Sequence, residues 1–217
     1  MRFRNRAEAG QMLADHLEEY AGRDDVVVLA LPRGGVPVGF GLARRLKAPL
    51  DICLVRKLGV PGHKELAMGA IAGGGICVLN DAVVAEFRLT DEDIARAAIA
   101  EGREIERREH LYRNGRPRVE LRGRTVILVD DGLATGASMR AAVLAVREYA
   151  PAQIVVAVPV AAEPTCDEFR SAVDQVVCVM TPEPLLSVGS WYEDFAQTTD
   201  EEVCELLERA AGTEAGR

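Results

Sequence analysis

The sequence is short of the residues that build a disulfide scaffold, a metal centre or a membrane span. It has five Cys in 217 residues, at Cys53, Cys77, Cys166, Cys178 and Cys204, with no C-x-x-C pair. An odd, scattered set of this kind reads as reduced and mostly buried thiols of a cytosolic protein. The three His (His16, His63, His110) stand too far apart for metal-ligand spacing. No apolar run approaches the ~18–20 residues of a membrane span, so no membrane partner is expected. The N-terminus alternates basic and polar residues without an apolar stretch, unlike a secretory signal, and a cytoplasmic location is expected. Positive charge is in deficit. A net charge of −8 argues against nucleic acid as a partner, while leaving room for a local basic pocket. Repeats, low-complexity segments and a Ser-His-Asp or Cys-His arrangement are also missing.

What the sequence does have is apolar content. Hydrophobic residues make up 48% of it, enough for one core without staples. Helical spacing predicts an amphipathic helix over residues 6–20, and an apolar run predicts a buried strand over 26–31. A Pro-Arg-Gly-Gly loop follows, then a helix over 38–46 and a strand over 50–55 that ends in Arg56-Lys57. Residues 58–65, rich in Gly, Pro and charge, read as a mobile loop in which Glu65 either orients substrate or is simply solvated. Residues 67–72 and 76–79 flank Gly73-Gly74-Gly75 as a hairpin, and 80–87 are ambiguous. Thr90 to Asp93 look like a capping box opening a charged, solvated helix to about residue 112. A short strand is expected at 119–121. Buried strands follow at 125–129, 153–161 and 175–180, with helices near 141–149 and 164–169 between them. A closing helix runs from 199 or 200 to 209, and the tail from 212 frays.

Alternation of strand and helix predicts an α/β fold, a mainly parallel sheet flanked by helices. Residues 1–217 form one domain. An inserted hairpin and charged helix occupy about 69–116, and a small hood is drawn from 1–20 and 182–210.

The chain is organised around residues 125–138. An apolar strand ends in Asp130-Asp131, and Gly132-Leu133-Ala134-Thr135-Gly136-Ala137-Ser138 leads into a helix. At the carboxyl end of a parallel strand, such a loop offers carboxylates for hydroxyls or a metal. It also offers backbone N–H groups and a helix dipole for a phosphate. It is neither a G-x-x-x-x-G-K-[ST] loop nor a G-x-G-x-x-G fingerprint. The alternative is an ordinary strand-to-helix turn with a capping Ser or Thr. Two adjacent acids after a buried strand repel each other, which favours the ligand reading. A phosphorylated ribose would satisfy both halves.

This stretch resembles the phosphoribosyl-pyrophosphate (PRPP) motif of the type I phosphoribosyltransferases, with Ala134 where that family more often has a second Thr. The resemblance implies that Asp130 and Asp131 face the ribose hydroxyls and hold Mg2+, directly or through those hydroxyls and water. It implies that Gly132 and Ala134, Thr135, Gly136, Ala137 and Ser138 wrap the 5-phosphate. Pro32-Arg33-Gly34-Gly35 is similar to the family's pyrophosphate loop, where a cis non-proline peptide is common; Arg33, Gly34 and Gly35 would bind pyrophosphate. Arg56 and Lys57, followed by the loop to Glu65, look like the flexible catalytic loop. The Arg-Gly-Gly loop, residues 56–70 and Trp191-Tyr192-Glu193-Asp194-Phe195 together resemble a bacterial subgroup of the family.

The implied reaction is displacement of pyrophosphate from PRPP by a small nitrogenous acceptor. Trp191, Tyr192 and Phe195, three aromatics in five residues, are acceptor-pocket candidates; their alternative is to anchor the C-terminal helix. Phe3, Arg4 and the helix from Asp91 are other candidates for hood walls. A PRPP-sensing regulator of the same fold is the second reading, although this acidic stretch of chain shows no DNA-binding segment or basic RNA-binding face. A metal-dependent hydrolase using Asp130 and Asp131 is the third. The acceptor base, and whether the chain forms a homo-oligomer, are left open.

Overall fold

A computed structural model describes residues 2–214, except for the side chains of Lys64, Glu65, Thr213 and Glu214. In chain order the elements are α1 (Arg6–Asp15), β1 (Val26–Ala30), α2 (Gly35–Leu46), β2 (Leu50–Ile52), β3 (Val55–Val60), β4 (His63–Ala72), β5 (Ile76–Leu79), α3 (Asp81–Glu86), α4 (Asp91–Arg113), β6 (Thr125–Val129), α5 (Ala137–Arg147), β7 (Gln153–Val160), α6 (Glu163–Arg170), β8 (Gln175–Met180) and α7 (Asp200–Glu214). Short 3-10 turns stand at Glu18–Tyr20 and Val188–Trp191. No helix among the described residues is long and apolar enough to cross a membrane.

The parallel sheet has the order β2-β1-β6-β7-β8. Strand periodicity sorts its side chains onto two faces. Val26, Val28 and Ala30 join Ile127 and Val129 in one core layer with α1, α2 and α7. Val27 and Leu29 join Val126 and Leu128 in the other, with α5 and α6. Burial on both faces explains the continuous apolar runs. β1 and β6 pair in register from Val26↔Thr125 to Ala30↔Val129, so their carboxyl ends finish level. The chain runs to β2 on one side of β1 and returns to β6 on the other. That reversal opens a crevice where ligands bind in sheets of this kind.

The structure corrects the reading of residues 50–65. One strand was expected over 50–55, but β2 ends at Ile52 and the chain turns at Cys53-Leu54. β3 then begins a second, antiparallel sheet in the order β3-β4-β5. The segment read as a mobile loop is a hairpin, with Gly62 at φ +78° in its two-residue turn. Leu58, Val60 and Met68 are fully buried in the main core, which holds it there. The Gly, Pro and charge content hid the period-2 apolar pair Leu58/Val60. The departure from strand–helix alternation therefore starts at Val55 rather than near 69. The 67–72/76–79 hairpin forms as expected.

Other boundaries moved for local reasons. α1 stops at Asp15 and is followed by a separate 3-10 turn. α2 starts inside the loop, at Gly35. Residues 119–121 form no strand, because the Val119 N–H donates to the Asp51 carboxylate instead of a ladder (3.0 Å). Residues 81–86 are helical, with Asn80 accepting from the Val83 N–H. α7 extends to Glu214; the rest of the tail read as fraying, 215–217, lies outside the described residues.

α4 is not simply solvated. Thr90 and Asp93 form the expected capping box, but Ile105 and Tyr112 are buried. Arg113 Nη1 donates to both oxygens of buried Asp51, at 2.7 and 2.8 Å. α4 is thereby pinned beside β2 and crosses the second sheet.

α1 crosses α2 closely at Gly10, where an added Cβ would lie 2.2 Å from the Val38 carbonyl oxygen. In α4, by contrast, a Cβ on Gly102 would meet only Ile71 Cδ1, at 3.6 Å. Gly10→Ala should therefore destabilise the fold by about 1–3 kcal/mol, and Gly102→Ala should stabilise it by about 0.5–1 kcal/mol. Urea unfolding of the two variants reads both signs, and equal shifts would contradict the packing at Gly10.

Candidate active site

The loops after β1 and β6 meet in the crevice. The Leu31 N–H donates to the Val129 carbonyl (2.8 Å), so the β1 loop leaves already tied to β6. The Pro32–Arg33 peptide is cis, as the resemblance implied. Gly34 and Gly35 then lie against the acid pair. A Cβ on Gly34 would fall 2.0 Å from Asp131 Oδ2, and one on Gly35 would fall 2.8 Å from the Val129 oxygen and 3.0 Å from Asp130 Cα. These glycines are required by contact, since a side chain at 34 would displace the Asp131 carboxylate and one at 35 the backbone of Val129 and Asp130.

Each carboxylate keeps one oxygen engaged. Asp130 Oδ1 accepts the Asp131 N–H at 2.8 Å. Asp131 Oδ2 accepts Arg6 Nε at 2.9 Å, an ion pair with both side chains over four-fifths buried. Burial, and then the Asp131 charge, raises the Asp130 pKa well above the usual carboxylate range. Burial raises that of Asp131 too, and Arg6 opposes it.

The loop 132–138 is fastened through its carbonyls. The Leu133 oxygen accepts the Ala162 N–H (3.3 Å), the Ala134 oxygen accepts Thr165 Oγ1 (2.9 Å) and the Thr135 oxygen accepts Arg140. The N-cap of α5 is Gly136, at φ +69°, and no side chain caps the helix. The ordinary turn with a capping Ser or Thr is thus not what forms. The first-turn N–H groups of α5 have no intrahelical acceptors and carry the positive end of its dipole.

Arginines close the other side. A cavity of about 70 Å3 is lined by Pro32, Arg56, Ile105, Arg108, Asp130 and Ser138, among others. It therefore joins the β1 loop, the acid pair, the α5 terminus, β3 and α4. Each arginine of the site rests on a carboxylate. Arg56 Nε donates to Glu101 Oε2 (2.6 Å) and Arg108 Nε to Glu104 Oε1 (2.7 Å), while Arg33 Nη1 lies 3.7 Å from Asp200 Oδ1. Asp200 also accepts the Tyr112 hydroxyl at 2.5 Å.

The phosphoribosyl transferase domain model matches residues 4–183. Two curated relatives from strains of Mycobacterium tuberculosis, each named "Putative phosphoribosyl transferase", are 46% identical over 211 residues, 96% of this chain and 47% of theirs. This chain spans about half the length of those relatives. The crystal structure of TT1426 from Thermus thermophilus is 42% identical, with a TM-score of 0.87 over 96% of this chain and 99% of that one. The chain belongs to the type I phosphoribosyltransferase family.

Of the residues the family resemblance singled out, the crevice brings together Arg33, Gly34, Gly35, Arg56 and the 130–138 loop. Lys57 is separated from them. It follows Arg56 along β3, so its side chain leaves the opposite face, and it is exposed and not among the residues lining the cavity. The Glu65 side chain lies outside the described residues.

The aromatic trio is corrected in part. Tyr192 is 4% exposed, packs on Phe3 with ring centroids 5.3 Å apart and donates its hydroxyl to the Asp131 carbonyl at 2.7 Å. It supports the acid loop and has no open ring face for a base. Phe195 lies under the Arg6 guanidinium, 3.8 Å from ring centroid to Cζ, and Trp191 is half-buried against the Phe3 cluster. The Phe3 N–H donates to the Trp191 oxygen and the Glu193 N–H to the Phe3 oxygen, so the two chain ends form this wall together.

Sequence reasoning missed Arg6, Arg108, Glu101 and Asp200. A signal existed for two of them: Glu101 and Arg108 stand four residues before and three after buried Ile105, on its helical face. Arg6 and Asp200 gave no local sign.

A carboxyl whose pKa is raised on folding binds its proton more tightly in the folded state. Its ionisation therefore costs stability, by an amount that grows as pH rises above the unfolded value of ~4. Asparagine keeps the acceptor for the Asp131 N–H without that cost. Asp130→Asn should raise the melting temperature of the ligand-free protein at about pH 8, and the gain should vanish near ~pH 4. Calorimetric scans across pH measure this, and a gain independent of pH would rule out the raised pKa.

Proposed function

We propose that this chain is a Mg2+-dependent phosphoribosyltransferase of nucleotide metabolism. It would transfer the 5-phosphoribosyl group of PRPP to a nitrogen of a small base or related acceptor and release pyrophosphate. One observation carries the reading: the Gly34-Gly35 backbone lies against Asp130-Asp131 with no room for a Cβ. The N-terminus of α5, without a side-chain cap, flanks that junction on one side and arginines flank it on the other. Membership of the family supports the same chemistry.

In this reading Asp130 and Asp131 accept the ribose hydroxyls, and the N–H groups of 134–138 hold the 5-phosphate. Arg33 and Arg56 neutralise the pyrophosphate after exchanging Asp200 and Glu101 for phosphate oxygens. The bond from the anomeric carbon to the pyrophosphate oxygen breaks as the carbon–nitrogen bond forms; the electron pair leaves with pyrophosphate, and a proton carried by the attacking nitrogen passes to pyrophosphate or solvent. Preorganised cations lower the barrier by meeting charge that develops on the leaving group. Water must be kept from the activated sugar, a role that suits the wall of β3, β4 and α4.

The residues fit Mg2+ carried in with substrate. Asp130 and Asp131 each retain one oxygen without a protein partner among the hydrogen bonds described above. Mg2+ typically uses one or two carboxylates together with substrate oxygens and water, and it would supply further neutralisation of the pyrophosphate. Among the described residues no three His, Cys, Asp or Glu side chains converge as a metal cluster, so the acid pair would hold Mg2+ together with substrate oxygens and water.

Pyrophosphate release from PRPP should be detectable with at least one base of a purine and pyrimidine panel, and EDTA should abolish it. Gly34→Ala should lower kcat/KM at least ~100-fold by displacing Asp131. Tight PRPP binding without turnover on any acceptor would favour a PRPP sensor. No PRPP binding by calorimetry with Mg2+ present would discard both readings.

A further inference from the structure

One face of α4 touches the whole pyrophosphate side of the crevice. Glu101 holds Arg56, Ile105 and Arg108 line the cavity beside Asp130 and Ser138, and Tyr112 holds the Asp200 that faces Arg33. These four residues recur at helical spacing, so the helix presents them as one stripe. Arg108 is the only cation in that stripe, and it reaches the cavity from outside both loops and the β3–β4 hairpin.

Its attachment is unequal to that of its neighbour. Glu104 accepts Arg107 Nε at 2.9 Å and Arg107 Nη2 at 3.0 Å, but only Nε of Arg108, at 2.7 Å. The two guanidiniums hold the Glu104 carboxyl down to about 2. If Arg108 turns away, the two bonds from Arg107 still neutralise Glu104. Arg108 can therefore exchange its acid for an anion without stranding a charge, and its Nη atoms are available for bidentate contact with phosphate. Arg107, with a side chain 54% exposed against 28% for Arg108, does not line the cavity.

We infer that Arg108 is a further pyrophosphate-binding residue, delivered by α4 and released from Glu104 when the ligand arrives. This inference rests on PRPP being the ligand of the crevice. It assigns α4 a direct part in substrate binding, beyond the arginines on the β1 loop and β3.

Calorimetry of the full chain with Mg2+, using PRPP and ribose 5-phosphate as paired ligands, tests it. Arg108→Gln should weaken PRPP binding about tenfold or more while leaving ribose 5-phosphate binding unchanged, which also certifies the fold. Arg103→Gln removes one positive charge from an exposed position of the same helix and should change neither. Arg108→Lys, which keeps the cation but not the fork, should fall between wild type and Arg108→Gln. PRPP binding by Arg108→Gln indistinguishable from that by Arg103→Gln overturns the assignment alone. Absence of PRPP binding by the wild-type chain overturns the functional reading along with it.

Discussion

The contact on which the site depends is the one between the Gly34-Gly35 backbone and the carboxylates of Asp130-Asp131. β1 and β6 are neighbours in register and buried on both faces, so the loops that follow them emerge at the same level. Two loops leaving adjacent parallel strands at one level would collide unless one lacks side chains. Glycine at 34 and 35 removes the collision and brings the backbone to within an atom's width of the acids. The distance between an anion site on the β1 side and one at the α5 terminus is thereby set by strand spacing. A ligand with negative groups at both ends of a sugar suits such a fixed geometry.

That closeness has an electrostatic consequence. Two adjacent carboxylates with little water around them are costly to ionise, and only Asp131 has a cation of its own, in Arg6. The remaining arginines of the crevice rest on acids from α4 and α7 rather than on the pair. In the ligand-free state the arginines of the site thus each sit in an ion pair, while Asp130 has none. The acidic balance of the chain does not conflict with binding a highly anionic ligand. The acids beside the crevice serve as resting partners for its arginines.

Much of the sheet was legible because burial on both faces writes itself as unbroken β-branched runs, as at 26–30 and 125–129. The acid pair and the small-residue loop were legible because their chemistry is local and contiguous. Residues 58–65 were misread because Gly59, Pro61 and Gly62 signal mobility more strongly than Leu58 and Val60 signal alternation. Only the buried partners of those two, supplied by elements distant in sequence, decide the matter. α4 was read as solvated because its charges outnumber its apolar residues. Yet Asp51 engages Arg113 and Arg56 engages Glu101, so two of those charges are packing contacts. A charge count cannot distinguish a carboxylate facing water from one facing an arginine across a crevice.

The wall opposite the β3 and α4 arginines was the least legible, and the reason is topological. It is built from residues 3–6 and 191–196, and the bond from Arg6 to the Ala196 oxygen spans 190 positions. No window of sequence contains both halves. The same arginine stacks on Phe195 and pairs with Asp131, while Tyr192 bonds the Asp131 backbone. The aromatic segment therefore cannot shift without carrying the second carboxylate with it. A displacement of Phe195 or Tyr192 is transmitted to Asp131 through one guanidinium and one hydroxyl. The aromatics that look from sequence like a platform for a base are mechanically part of the acid loop's support, and residues 3–6, 191–196 and the second carboxylate hold one another in place.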